Sequence, residues 1–197
     1  MQENPVPLPV LAAARSACVV ESELLNSERI ASEFGSYGNE VLSSANGIRR
    51  SSLYSGAGDE RICRTYAVVR FDDVPANIAN DEHARILAGS SIGAIFKANG
   101  WEVYKETLYV GELALPAGEH RVRDLMRIED VRSIALHVYR LYLRKGEQVI
   151  EYATILESHH PDYLSRSELD TLYVVDAPTR LSEHELVEVS ELVLEAD

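Results

Sequence analysis

Two stretches of alternating apolar and polar residues constrain the fold of this chain more than any other feature. Residues 101–115 alternate along their length, and residues 136–143 do the same. A period of two is typical of β-strands whose two faces differ. Lys145-Gly146-Glu147 then marks a hairpin turn, and residues 148–156 return as the next strand. Long consecutive strands joined by a tight turn predict an antiparallel sheet.

Helical patterns are concentrated in the N-terminal half and the middle of the chain. Ser27 is an N-cap candidate for a short helix that ends at Phe34. The pattern over residues 81–98 is helical too, with a break at the Gly89-Ser-Ser-Ile-Gly93 stretch. Long strands together with segregated helices predict an α+β fold. The remaining segments predict a helix at residues 11–25, a weak strand at 41–50, a turn or loose loop at 51–59 and a good strand at 64–71.

The charge balance excludes several classes of function. Acidic residues outnumber lysines and arginines by 32 to 19, which gives a formal net charge of −13. Nucleic acids and anionic membranes attract basic surfaces, so neither is expected as a partner. A small anionic organic acid is still a possible ligand at a place where several arginines cluster, because such a cluster makes the local potential positive although the net charge of the chain is negative.

Cysteine usage and hydropathy indicate a cytoplasmic protein. Cys18 and Cys63 are too few for a disulfide framework, and we expect both to be reduced and buried. No window approaches the ~20 apolar residues that a membrane span requires. Arg15 interrupts the apolar stretch 8–20, and Glu3 precedes it where a signal peptide would carry positive charge.

The C-terminal segment has its own character. Residues 165–197 contain nine acidic residues and two arginines, a local charge of −7. Ser182 and Glu185 form a capping-box pattern, and apolar residues follow at helical spacing. We therefore divide the chain into a domain at 1–165 and an acidic extension with a short helix at 166–197. That helix either packs against the domain or contacts a protein partner.

Standard catalytic signatures are missing from the sequence. It has no Walker loop, nucleophile elbow, dinucleotide fingerprint or Cys-x-x-Cys pair. His159-His160-Pro161-Asp162 carries metal-ligating residue types. However, adjacent histidines on an extended chain point in opposite directions and chelate one ion poorly. We interpret this stretch as an ordinary turn at a strand exit and predict no metal site.

Charged residues occur inside the predicted strands, where alternation turns some of them inward. Two interpretations are open. The charges could line the solvent face of a half-exposed sheet, or an arginine could hold a ligand carboxylate with a glutamate opposite it. The residues concerned are Arg64, Arg70, Arg140, Arg144, Glu151 and Glu157.

Four short motifs follow one another between residues 25 and 165. They are Asn26-Ser-Glu-Arg-Ile-Ala-Ser-Glu-Phe34 with a strand ending near Arg49, Cys63-Arg-Thr-Tyr-Ala-Val-Val-Arg70 before Pro75, Ser90-Ser-Ile-Gly-Ala-Ile-Phe96 before a long strand, and the final hairpin with Glu157-Ser-His-His-Pro161. In this order and spacing the chain resembles the chorismate lyase-like superfamily. That group includes the chorismate-pyruvate lyases and the related UTRA effector-binding domains of bacterial transcription regulators.

The resemblance implies a fold, a reaction and a set of residues. The fold would be an antiparallel sheet with helices covering an internal ligand pocket. The reaction would release pyruvate from chorismate, or from a related enolpyruvyl or aromatic carboxylate. With chorismate as substrate, the second product would be 4-hydroxybenzoate. No metal or organic cofactor is implied. Arg64 matches the family's leading arginine, and Glu157 matches its strand-end glutamate, so both would be catalytic.

The same resemblance implies substrate-binding roles for Arg49, Gly93, Arg140 and Glu151. Glu151 also competes with Glu157 for the glutamate position, depending on how the hairpin is aligned. The chain departs from the lyase pattern at two places. Asn80 stands where lyases usually carry a second arginine, and Arg132 stands alone where they tend to carry a pair.

Two non-enzymatic functions are therefore weighed beside the lyase. One is a small-carboxylate-binding module related to the UTRA effector domains. Since no helix-turn-helix pattern is present, such a module would not bind DNA itself. The other is an interaction protein that works through its acidic C-terminal helix.

Overall fold

A computed structural model describes residues 25–71, 80–118, 120–173 and 180–195. Its centre is one antiparallel sheet of six strands, in the order β1-β2-β3-β6-β5-β4. The expected α+β class is confirmed. The strands are β1 (Gly38–Ala45), β2 (Ile48–Ser55), β3 (Ile62–Phe71), β4 (Glu102–Ala114), β5 (Ser133–Lys145) and β6 (Gln148–His159).

Six α-helices of the described ranges flank this sheet, and a short 3-10 helix (Gly58–Glu60) stands between β2 and β3. None of them is long and apolar enough to cross a membrane. The helix expected at residues 11–25 lies outside the described residues except for Leu25, which stands just before the first helix. The helices are α1 (Asn26–Phe34), α2 (Asn80–Leu87), α3 (Ile92–Ala98), α4 (Arg121–Met126), α5 (Arg166–Leu172) and α6 (Glu183–Leu194).

The hairpin of β1 and β2 corrects two sequence expectations. Residues 41–50 are not one strand, and residues 51–55 are not a loop, because the chain reverses at Asn46-Gly47. Both turn residues have positive φ, 52° and 75°. Asn-Gly is the dipeptide that most favours a two-residue turn of this kind, and the signal was present in the sequence. The reversal gives the sheet two strands at this edge.

Helices cover both faces of the sheet. We call the face that carries Val69, Tyr139 and Ile155 the α1 face; α1, α2, α3 and α5 pack against it. The opposite face, the α6 face, carries Tyr66, Val68, Leu136, Val138 and Leu156, and α4 and α6 pack there. Because both faces are buried, a charged strand residue turned to either face must find a partner or a ligand.

Helix α6 packs against the sheet rather than standing away from it. The Ser182 hydroxyl accepts from the backbone N–H of Glu185, whose carboxylate in turn accepts from the Ser182 backbone N–H. This is the capping box that the sequence predicted. Val189 and Val193 lie in the same apolar cluster as Val68 and Leu156. Of the two alternatives for this helix, the structure shows packing within the chain.

A β-bulge changes the faces of the longest strand. Between Thr107 and Tyr109 the register of β4 shifts by one residue against β5. Alternation therefore assigns faces as expected up to Thr107. Beyond the bulge Tyr109 packs on the α6 face instead, and Val110 joins the cluster on the α1 face. Bulges of this kind re-aim side chains within a sheet.

Candidate functional site

A cavity of about 90 Å³ lies on the α1 face, beneath the N-terminal ends of α1 and α3. Its walls are mostly apolar, with side chains such as Leu53, Val69 and Ile155. Three charged residues also line it, each from a different strand: Arg49 of β2, Lys105 of β4 and Glu157 of β6. The sheet order brings these distant positions to one chamber.

Arg49 is the most unusual of the three. It is only 4% exposed, and one terminal nitrogen, Nη1, donates to the carbonyl of Ile86 at 2.5 Å, near the end of α2. Its buried Nε has no hydrogen-bond partner. Burial lowers the pKa of the guanidinium. Among the described residues no carboxylate pairs with Arg49, so a buried cation faces the cavity without a counter-ion.

Lys105 lies over two aromatic rings. Its Nζ is 4.3 Å from the ring centre of Tyr139 and 5.8 Å from that of Tyr173. Burial by itself would lower the pKa of this lysine, but the phenolic oxygens of Tyr139 and Tyr173 and the carboxylate of Glu157 outweigh burial and raise it. The side chain therefore carries a positive charge at neutral pH.

Glu157 is held in place by a short polar chain. The Nδ2 amide of Asn26 donates to its carboxylate at 3.3 Å and to the Thr65 hydroxyl at 3.1 Å. The Tyr163 hydroxyl donates to the Oδ1 atom of Asn26. Glu157 is 6% exposed. A neutral amide at the start of α1 thus fixes the orientation of the carboxylate, which in turn helps to raise the pKa of Lys105.

Neutral polar groups complete the lining. Burial, together with nearby Glu157, raises the pKa of Tyr37 to about 12 against the opposing effect of Arg49, so its hydroxyl stays protonated. The Asn39 amide donates to the carbonyl of Gly89 at 2.7 Å, while its buried Oδ1 has no partner. Arg49 thus has an unpartnered donor, Nε, and Asn39 an unpartnered acceptor, Oδ1, and both residues line the cavity.

Two buried histidines lie on the α1 face near the cavity. Thr65 hydrogen-bonds His159 at 3.0 Å, and Thr107 hydrogen-bonds His137 at 3.1 Å. Burial lowers the pKa of His159 to about 4 and that of His137 well below its usual range, so both rings are neutral. In the described part of the chain, no three His, Cys, Asp or Glu residues are placed to hold a metal ion.

The structure brings together three of the six residues that the resemblance selected. Arg49, Gly93 and Glu157 all line the cavity. Gly93 lies in α3, where an added Cβ would come within 2.6 Å of a methyl carbon of Leu25, another lining residue. The absence of a side chain at Gly93 therefore leaves room for Leu25 beside α3.

Arg64 differs from its expected placement and is not among the residues that line the cavity. The register between β2 and β3 shifts there, because Leu53 pairs with Thr65 and Tyr54 pairs with Cys63. Arg64 is the extra residue of this bulge. Its guanidinium lies 3.8 Å from the ring centre of Phe34, and its Nε donates to the Ser55 hydroxyl at 2.8 Å.

Arg140 and Glu151 also differ from expectation and are not among the residues that line the cavity. Alternation along β5 turns Arg140 to the α6 face. Glu151 turns there because the register between β5 and β6 shifts, so that Leu141 pairs with Ala153 but Tyr142 pairs with Glu151. Arg140 Nε lies 3.4 Å from the Glu151 carboxylate, and its Nη1 lies 3.8 Å from that of Glu106. Glu106 in turn accepts from Arg180 at 2.7 Å and from the Tyr142 hydroxyl at 3.0 Å. We call these five residues the ion-pair network of the α6 face. Their charges are matched by one another.

The sequence interpretation missed Lys105, Tyr37 and Asn39. Alternation had placed Lys105 beside Val103, and both line the cavity, so the signal for this lysine was available. Tyr37 and Asn39 stand at the start of the hairpin that was interpreted as a weak strand. No local pattern distinguishes them from ordinary turn residues.

Comparison with profiles of known protein families gives no match, and comparison with curated proteins gives none either. Among solved structures, the chain is similar to a transcriptional regulator of the GntR family from Enterococcus faecalis V583. The TM-score is 0.34 and the sequence identity 10%, over 66% of this chain and 93% of that chain. A TM-score this low carries no weight for either fold or function, which rest here on the sheet and the cavity.

Proposed function

We propose that this protein binds a small organic acid in the cavity of the α1 face, with the ligand carboxylate on Arg49. The observation that carries the proposal is the state of Arg49: buried, lining the cavity, with a free Nε and no carboxylate partner among the described residues. An uncompensated buried charge is costly, and a bound anion would supply the missing counter-charge. Guanidinium groups bind carboxylates strongly through charge-assisted hydrogen bonds.

Size and charge restrict the ligand further. Two cations and one carboxylate line the cavity, which leaves a net charge of +1 when all three are ionised. An apolar cavity of about 150 Å³ holds benzene, and this cavity of about 90 Å³ is smaller. It therefore suits a short-chain acid better than an aromatic one. Apolar walls favour a hydrocarbon body. A short monocarboxylate therefore fits better than a bulky dianion.

Chorismate lyase-like activity is a second candidate, because Arg49 and Glu157 share one cavity. Chorismate carries two carboxylates, however. Of the arginines expected to serve it, Arg64 contacts Phe34 and Arg140 contacts Glu151. The cavity thus offers one arginine for two carboxylates. We therefore favour a binding module over the lyase.

Binding is tested by titrating butyrate into the isotopically labelled protein and following backbone amide NMR signals. We expect saturable shifts at residues around the cavity. Arg49→Met should weaken butyrate binding by about 100-fold, the effect of losing a buried charge-assisted contact. Its unfolding free energy should change by less than about 1 kcal/mol, since a buried cation without a counter-ion contributes little net stability.

Arg50→Met is the matched control. Arg50 is the next residue of β2 but faces α6, where it donates to the Leu192 carbonyl and to Glu195. This variant should lose about 1 kcal/mol of stability and keep butyrate affinity. Equal effects of the two substitutions on binding would contradict the proposal. Release of 4-hydroxybenzoate and pyruvate from chorismate, abolished by Arg49→Met, would instead favour the lyase.

A further inference from the structure

The cavity contains a feature that a simple anion site does not need. A site for a carboxylate requires a cation, yet Glu157 also lines this one and is only 6% exposed. A carboxylate beside an anionic ligand repels it, so Glu157 lowers the affinity that Arg49 and Lys105 would have together. Burying a carboxylate also costs free energy unless a partner compensates its charge.

The location of Glu157 indicates its role. Glu157 and Lys105 both line the cavity, from the strands on either side of β5. The Lys105 Nζ lies over the ring of Tyr139 on β5, and the Glu157 carboxylate helps to raise the pKa of Lys105. Arg49 comes from β2, on the other side of β3 from Glu157. The two poles of the cavity therefore differ: the Arg49 pole has a cation without a described counter-ion, and the Lys105 pole has a cation beside a carboxylate.

We propose that Glu157 is a selectivity residue that neutralises Lys105, so that the cavity accepts monocarboxylates and rejects dicarboxylates. This inference rests on the proposed function, because it concerns the charge of the ligand bound in the same site. A monocarboxylate places its only charge on Arg49 and its hydrocarbon end against the apolar walls. A dicarboxylate of the same length places its second carboxylate against Glu157. The net charge of +1 in the cavity balances only one of the two ligand carboxylates, so the repulsion between the second carboxylate and Glu157 is not compensated.

Butyrate and succinate provide the direct test, since they share a four-carbon chain and differ by one carboxylate. Wild-type protein should bind butyrate and bind succinate at least about tenfold more weakly. Glu157→Gln keeps the shape of the side chain and an acceptor for Asn26 but removes the charge. This variant should raise the succinate-to-butyrate affinity ratio by about tenfold or more. An unchanged ratio would overturn the inference.

A charge cycle distinguishes selectivity from packing and covers the case in which Glu157→Gln does not fold. Lys105→Met alone leaves Glu157 uncompensated, so butyrate binding should weaken. The double variant Lys105→Met, Glu157→Gln restores a net charge of +1 in the cavity and should regain butyrate binding while still rejecting succinate. If the double variant binds butyrate no better than Lys105→Met, Glu157 does not act through charge, and the inference fails.

The same experiments separate this inference from the proposed function. If wild-type protein binds neither acid, the proposed function fails and the inference about Glu157 fails with it. If wild-type protein binds butyrate through Arg49 but Glu157→Gln leaves the preference unchanged, the binding function stands and only the role of Glu157 is refuted. Thermal denaturation of each variant without ligand shows which of them are folded.

Discussion

The two faces of the sheet bury charge in different ways. On the α6 face, Glu106 accepts hydrogen bonds from Arg180 and Tyr142, and Arg140 pairs with Glu151. On the α1 face, Glu157 is held by the neutral amide of Asn26. The charges of this network are thus paired within the chain. The α1 face leaves a buried cation beside a cavity.

Neighbouring arginines on β2 show this difference most directly. Arg50 turns to the α6 face and pairs with Glu195 at 2.9 Å. Arg49 turns to the α1 face, where it meets backbone carbonyls and the cavity. One residue type, at consecutive positions, is paired with a carboxylate on one side of the sheet and lines a cavity on the other. A buried charged residue therefore indicates a ligand site only when its partners have been identified and do not include an opposite charge.

Acid should destabilise the α1 face most, because its buried histidines are neutral. The pKa of His159 is lowered to about 4 by burial, with Lys105 and Arg29 adding to this shift and Glu157 opposing it. The pKa of a histidine in the unfolded chain is near 6.5, so between pH 6.5 and pH 4 the unfolded chain binds more protons than the folded one. The contribution of neutral His159 to the free energy of unfolding is therefore fully present above about pH 6.5 and is lost as the pH drops towards 4. The loss should reach the order of 3 kcal/mol at the lower end. Urea unfolding at several pH values measures it.

His159→Asn is the control for this pH dependence. The amide can still hydrogen-bond the Thr65 hydroxyl, but it does not titrate. The variant should lose stability less steeply than wild type between pH 6.5 and pH 4. If the two proteins show the same slope, His159 is not the group responsible, and the difference between the faces does not include acid sensitivity at this residue.

Breaking the ion-pair network of the α6 face should have the next largest effect. Glu106→Gln keeps an acceptor for Tyr142 but leaves Arg180 without its carboxylate. We expect a loss of about 2 kcal/mol, less than for a fully buried pair because Arg180 and Arg140 are partly exposed. Chemical denaturation measures the change, and butyrate binding should not change.

Glu102→Gln is a matched substitution on the same strand. Glu102 pairs with Arg144 but is more than half exposed, so its replacement should cost no more than about 0.5 kcal/mol. If Glu102→Gln destabilises the protein as much as Glu106→Gln, burial does not determine the strength of these pairs.

Filling the space at Gly93 should have the smallest effect on stability. Gly93→Ala adds a methyl group that meets Leu25 at 2.6 Å and pushes it towards the cavity. Because alanine favours helix over glycine, we expect a stability change within about 1 kcal/mol of zero. Butyrate affinity should fall several-fold because the cavity is smaller.

Ala94→Gly, one position further along α3, is the control, since Ala94 does not line the cavity. Unchanged butyrate affinity in Gly93→Ala would show that Leu25 does not limit the cavity.

The sequence by itself determined most of the strands and helices. Alternation located β4 and β5, and the hairpin turn at Lys145-Gly146-Glu147 located β6. The capping box at Ser182 located α6, and the Gly89–Gly93 stretch separated α2 from α3. These features depend on residues close to one another in the chain, so a short window of sequence is enough to predict them. The Asn46-Gly47 turn belongs to the same class, although its signal was overlooked.

Only the tertiary structure decided which charges share the cavity. Arg49 and Glu157 are 108 positions apart, and they meet because the sheet order places β2, β3 and β6 side by side. Bulges at Arg64 and in β4 shifted faces that simple alternation assigned otherwise. A period of two tells which residues share a face of one strand. It does not tell which strands are neighbours or where a bulge interrupts the count, because hydrogen bonds between distant strands fix both.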